Sequence, residues 1–239
     1  MTTDPRYPAK LREAHTLIYE YSRGVPGLVP AIETRRLPSC LGKKSGCESP
    51  YCPSCSKRRS FKLEKRLWKV ASGINPSELS FLTFTLADCT DMELRSTAKG
   101  IKAIAIEMLK ANTGLQGWFM RLEVIPNGPG LYHPHVHVLA HYKPECLTGT
   151  DSTSLRKWQT AWKAGLPEEA RTRKKPVVIK PISDLPGIVG YICKSPWFRA
   201  GRQGPRRLHS YAIQMLDMVA ALAHLPCHHS SGSLHLSVS

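Results

Sequence analysis

The sequence predicts an α+β protein: a ferredoxin-like split βαβ antiparallel sheet with helices on one face, preceded by a small cysteine-rich module. Three observations predict it. Apolar residues alternate within 80–87, 117–125 and 135–142, the period of half-buried strands. Helical spacing recurs between and after them. Four of the eight cysteines fall within residues 40–55.

Residues 1–39 hold several prolines and no clear period, and are read as an N-terminal arm. Residues 40–75 form the second unit. Cys40, Cys47, Cys52 and Cys55 are spaced C-x6-C-x4-C-x2-C, and four soft ligands this close suit a tetrahedral structural Zn²⁺. Reduced free thiols are the alternative. Residues 57–70 then predict a basic helix with Phe61, Leu67 and Trp68 as apolar contacts and Lys57, Arg58, Arg59 and Lys62 placed to meet DNA phosphates.

Residues 76–207 carry the sheet. In 80–87, Leu82, Phe84 and Leu86 alternate with Thr83 and Thr85. Leu94, Ala98, Ile101, Ala105 and Met108 mark a helix over 93–110. Strands 117–125 and 135–142 are separated by Pro-Asn-Gly-Pro-Gly, a strong turn signal. Leu155, Trp158 and Trp162 share one face of a helix over 153–163, and 176–182 is a short strand. Asp184 caps a helix running to about Ser195. Residues 208–239 are expected to give an apolar helix near 212–223 and an unstructured end at 228–239.

Composition narrows the function. Lysine and arginine number 34 against 18 acidic residues, a formal charge of +16 that favours a polyanionic partner. The excess is clustered: Arg35–Lys69 holds 11 basic and 2 acidic residues, and Lys194–Arg207 holds 5 basic and none acidic. No run reaches the roughly 18 to 20 apolar residues of a membrane span, and Met1–Lys10 lacks an apolar export core. The expectation is a cytoplasmic protein with no membrane association.

The sharpest motif is His133-Pro-His135-Val-His137-Val-Leu139. On a strand His135 and His137 face the same way, while Val136 and Val138 enter the core. If the two flanking strands pair as a hairpin with residue 123 near 137, Glu123 joins the histidines. Two imidazoles and a carboxylate suit Mg²⁺ or Mn²⁺ with positions open for water and a phosphate oxygen. Two enzyme classes use such a strand. Histidine-triad nucleotide hydrolases use the middle histidine as nucleophile, and rolling-circle initiators and relaxases use the later pair as metal ligands.

Three segments in order resemble the plasmid rolling-circle replication initiators with one catalytic tyrosine, the single-tyrosine HUH endonucleases. They are FLTFTLADCTDMELR (81–95), RLEVIPNGPGLYHPHVHVLAHY (121–142) and GIVGYICKS (187–195), together about half of the chain. The resemblance implies that Glu123, His135 and His137 hold the metal, Tyr191 attacks a DNA phosphate to form a 5′-phosphotyrosyl link, and Lys194 supports it. His133 and His141 are then peripheral. A phenol, with a pKa near 10, ionises far more readily than an aliphatic hydroxyl. The implied partners are single-stranded or supercoiled origin DNA with a host helicase and polymerase, since no phosphate-binding Gly-x-x-x-x-Gly-Lys loop is present. The chain departs from the family at Gly187, where many relatives carry a glutamate that terminates the reaction. Asp184, seven residues before Tyr191, returns to nearly the same helical face and is the candidate replacement, with helix capping as its other role. A zinc-bearing DNA-binding module without catalysis, a transposase and a relaxase remain open at this point.

Overall fold

The computed structural model describes Thr16 and residues 52–146, 152–171, 176–195, 205–222 and 225–236. The arm predicted for 1–39, Thr16 apart, lies outside the described residues, as do Cys40 and Cys47.

Helix α1 (Pro53–Ala71) starts four residues earlier than its basic run suggests. Pro53 sits in the first turn, where its fixed φ is pre-organised, and Cys52 Sγ caps the helix by accepting the Cys55 N–H at 3.4 Å. A short 3-10 turn (Pro76–Glu78) leads into β1 (Leu79–Thr85), and β2 (Cys89–Thr90) follows. Helix α2 (Asp91–Ala111) opens with Glu93 Oε2 accepting the Thr90 N–H at 3.0 Å. It buries Leu94, Ala98, Ile101, Ala105 and Leu109; Leu109 takes the buried position expected of Met108, which is only partly covered.

Strands β3 (Leu115–Gly128) and β4 (Leu131–Tyr142) form the central hairpin. Its turn contains Gly130 at φ +66°, a conformation that favours glycine. Helix α3 (Ser152–Gly165) sets Trp162 against Phe84, with ring centroids 4.9 Å apart, and its Nε1 donates to Thr85 O at 3.0 Å. A 3-10 turn (Glu168–Ala170), β5 (Val177–Pro181), α4 (Leu185–Ile192), α5 (Pro205–Ala221) and β6 (His228–Gly232) complete the described elements.

All pairings are antiparallel, in the order β5-β1-β4-β3-β6, with β2 paired to the start of β4. The β1–α2–β3 crossover leaves β4 between its two strands. Two apolar cores result. Helices α2, α3 and α5 cover the face carrying Leu82, Phe84, Val136 and Val138.

The other face departs from the expectation of helices on one face only. Leu67 and Ala71 of α1 and Leu185, Val189 and Ile192 of α4 pack over Leu79, Phe81, Phe119 and Leu139. These four apolar residues lie on the histidine side of the sheet and draw two helices onto its end. The end of the chain also differs: His228–Gly232 pairs with Gly117–Arg121, and Leu234 and Leu236 are buried. Gly117 permits this, because a Cβ there would lie 2.6 Å from the Ser233 amide nitrogen. Among the described residues no helix is long and apolar enough to cross a membrane.

Candidate active site

Strand alternation builds the site. His135 and His137 point away from Val136 and Val138 and are both buried. The hairpin register sets Glu123 opposite His135 and Arg121 opposite His137, one same-face step from the register expected. The carboxylate still reaches both rings: Glu123 Oε2 lies 2.8 Å from His135 Nε2 and 2.9 Å from His137 Nε2. These three side chains are the one cluster among the described residues whose ligand atoms converge as a metal site requires.

Neighbouring elements fix the rings. From β1, Thr83 Oγ1 lies 3.1 Å from His137 Nδ1, and Phe81 stacks on the same ring at 5.3 Å. Helix α4 then brings Tyr191 over His137, with its hydroxyl 3.4 Å from Nε2. The ring stands edge-on to Phe81. Tyr191 remains 42 % exposed, so the phenol is open to a large substrate. Just after α4, Lys194 Nζ pairs with Glu123 Oε1 at 2.7 Å and sits 3.7 Å from the Tyr191 ring centroid. Ser195 Oγ is 2.9 Å from Ser56 Oγ, which ties this segment to α1.

The electrostatics prepare the donors for a cation. Burial pushes the Glu123 carboxyl up, but hydrogen bonds from both histidines and the charges of His135 and Lys194 outweigh it, holding the group well below the usual carboxylate range. His137 is pushed down to about 4, chiefly by burial and against its hydrogen bond to Glu123. A neutral imidazole and an ionised carboxylate are the forms that bind a metal. With Nε2 given to an ion, the Nδ1–H of His137 has Thr83 Oγ1 as its acceptor, a second-layer partner that fixes the tautomer. The residues therefore fit a divalent ion.

The outer histidines are engaged elsewhere. His133 Nδ1 pairs with Asp88 at 2.7 Å, while His141 lies between Ser233 at 2.7 Å and Glu78 at 3.1 Å. Asp184 caps α4 by accepting the Gly187 N–H at 2.9 Å. Among the described residues it has no hydrogen bond or ion pair to Tyr191, Lys194 or the histidines. On α1, Lys57, Arg58, Arg59 and Lys62 are exposed, and Arg59 and Lys62 line a cavity with Tyr191 and Lys194. Arg58 donates to Cys55 Sγ at 3.4 Å. The sequence reading passed over Arg121, although it lies two residues before Glu123 and so shares its face.

Comparison with known proteins gives the class first: residues 39–182, more than half of the chain, match the family model described as replication protein. The chain belongs to that family, Rep_1, and the resemblance to plasmid rolling-circle replication initiators holds at family level. Protein rep of Lentilactobacillus hilgardii is 26% identical over 129 residues, covering 50% of this chain and 41% of that protein. Protein rep of Streptococcus pneumoniae is 26% identical over 130 residues, again 50% and 41%. Protein rep of Bacillus amyloliquefaciens is 27% identical over 128 residues, covering 50% and 37%. The matched part thus spans about two fifths of these relatives' length. No solved structure matches.

Proposed function

We propose that this chain nicks and rejoins one strand of DNA at a plasmid origin through a covalent link to Tyr191. The observation that carries the reading is the Tyr191 hydroxyl 3.4 Å from Nε2 of His137, beside the convergent carboxylate and imidazoles. Glu123, His135 and His137 would hold Mg²⁺ or Mn²⁺. A divalent ion there supplies charge stabilisation to a phosphodiester oxygen.

The protein's own groups do the rest. The Tyr191 oxygen attacks phosphorus, the bond to the 3′ oxygen breaks, and a 5′-phosphotyrosine and a 3′-hydroxyl result. The phenolic proton leaves with solvent and the departing 3′ oxygen gains one. The link keeps a phosphodiester, so the reverse attack by a 3′-hydroxyl reseals the strand. Lys194 Nζ, between the Glu123 carboxylate and the tyrosine ring, lowers the cost of charge on the phenolate and the phosphate.

The order β5-β1-β4-β3 supports a ferredoxin-like core with β6 added at one edge. The four basic residues of α1 supply affinity for the strand. Cys52 and Cys55 are buried at the start of that helix and, with Cys40 and Cys47, would hold a structural Zn²⁺ that orients it. Strand separation falls to supercoiling or a host helicase, and extension to a host polymerase.

The test is incubation with single-stranded DNA and Mn²⁺, followed by a denaturing gel. A protein–DNA adduct lost in Tyr191→Phe and in EDTA supports the reading. A histidine-triad hydrolase would be indifferent to Tyr191→Phe and would give no DNA adduct.

A further inference from the structure

Arg121 is a buried charged residue that feels the Glu123 carboxylate but has no hydrogen bond to any anion among the described residues. It stands on β3 opposite His137 and two residues before Glu123. Both oxygens of that carboxylate are committed, Oε1 to Lys194 and Oε2 to the two histidines. Nη1 of Arg121 is shielded from solvent and has no hydrogen-bond partner among the described residues. Cys193 and Cys227 lie near, but burial pushes both thiols up, Cys193 to about 12, so neither supplies an anion. A guanidinium keeps its charge and its five donors, and burying one unmatched is costly.

The same residue lines a cavity of about 490 Å³, within the range of roughly 300 to 1,000 Å³ of small-ligand sites. Tyr191, His137 and Glu123 border that space together with Arg59 and Arg66 of α1. So do Leu222 and Leu225, half-buried apolar residues that follow α5. Leu122 N donates to Cys227 O at 2.8 Å, which holds this segment against β3 beyond the end of β6. A guanidinium, a phenol and an apolar surface therefore border one open cleft.

We propose that Arg121 is a phosphate-binding residue and that this cavity takes one nucleotide of single-stranded DNA beside the scissile phosphodiester. The phosphate rests on the guanidinium and the base on the apolar surface. This rests on the nicking function proposed above.

The probe is thymidine 3′,5′-bisphosphate, titrated calorimetrically into the full chain with no added Mg²⁺ or Mn²⁺, with thymidine as the phosphate-free reference. Wild type binds the bisphosphate more tightly than thymidine. Arg121→Met weakens bisphosphate binding about ten- to hundredfold, the loss expected of a charge-assisted hydrogen-bond pair. Arg121→Lys recovers part of the loss, and Lys110→Met, on the exposed surface of α2, leaves it unchanged. Leu222→Glu, which sets a carboxylate in the apolar surface, gives a second route to the same loss should Arg121→Met fail to fold. Equal affinity of wild type for thymidine and its bisphosphate overturns the proposal, as does wild-type affinity in a folded Arg121→Met. Because the measurement needs no added metal and no tyrosine, bisphosphate binding with no DNA adduct would defeat the nicking reading alone.

Discussion

Lys194 Nζ lies 2.7 Å from Glu123 Oε1, so the residue three positions after the tyrosine is joined to the carboxylate of the histidine cluster. One ammonium thereby links α4 to β3 and lies over the Tyr191 ring. Replacing Lys194 with Met removes the charge and keeps much of the stem. Adduct formation is expected to slow by about ten- to hundredfold, while affinity for single-stranded DNA changes little, because α1 supplies the larger basic surface. Single-turnover rates beside filter-binding titrations check this. Equal losses in rate and in affinity would make Lys194 a general DNA contact.

The buried histidine makes stability fall on the acid side. A histidine in an unfolded chain titrates near 6.5, whereas His137 is held at about 4 in the fold. Between those values the unfolded chain binds the proton that the folded one refuses, so stability drops as pH falls through this window. Glu123, held well below its ordinary 4.5, contributes stability that is lost in turn as pH falls further. The metal-free protein should lose Tm progressively from pH ~6.5 to ~4, and His137→Phe should flatten the upper part of that fall. Thermal melts across the window decide; parallel curves for the two proteins would contradict the assignment.

Much of this was legible in the sequence. The alternation of His135, Val136, His137 and Val138 set the face of the histidines, and Asp184 before Pro186 marked the start of α4. Register was less legible, because same-face partners one step apart satisfy alternation equally well; Glu123 pairs with His135 and reaches His137 diagonally. The helices on the histidine face were signalled by Phe81, Phe119 and Leu139, but Thr83 and Thr85 made that face read as open. Strand β6 is His-His-Ser-Ser-Gly, which carries no apolar alternation. It forms because Gly117 lets the chain approach and because Leu234 and Leu236 anchor it.

Asp184 has two candidate roles that one pair of substitutions separates. Its carboxylate accepts the Gly187 N–H, the bond of a helix cap. Asp184→Ala should cost roughly 0.5–2 kcal/mol of stability, and Asp184→Asn much less. If the aspartate also activates water for terminating cleavage, Asp184→Asn slows release of the tyrosyl adduct and leaves the first nick intact. Unchanged release in a stable Asp184→Asn would leave it a cap alone.

The cysteine module predicts a metal content. Protein purified with reductant and without chelator should carry about one zinc per chain, since four thiolates complete one tetrahedral site. Cys52→Ser with Cys55→Ser should lower that content and destabilise the start of α1, where Cys52 caps the helix. Elemental analysis that finds no zinc in freshly reduced protein would leave these cysteines as free thiols.

The central claim is that Tyr191 carries the DNA. Its most direct test is to trap the adduct with a short single-stranded oligonucleotide and Mn²⁺, digest protein and DNA, and locate the nucleotide-bearing residue by mass spectrometry. The predicted result is a nucleotide joined through its 5′ phosphate to the peptide containing Tyr191, stable in acid as a phosphotyrosyl ester is. A nucleotide on His135, lost in mild acid as a phosphoramidate would be, or an undiminished adduct in Tyr191→Phe, would contradict it.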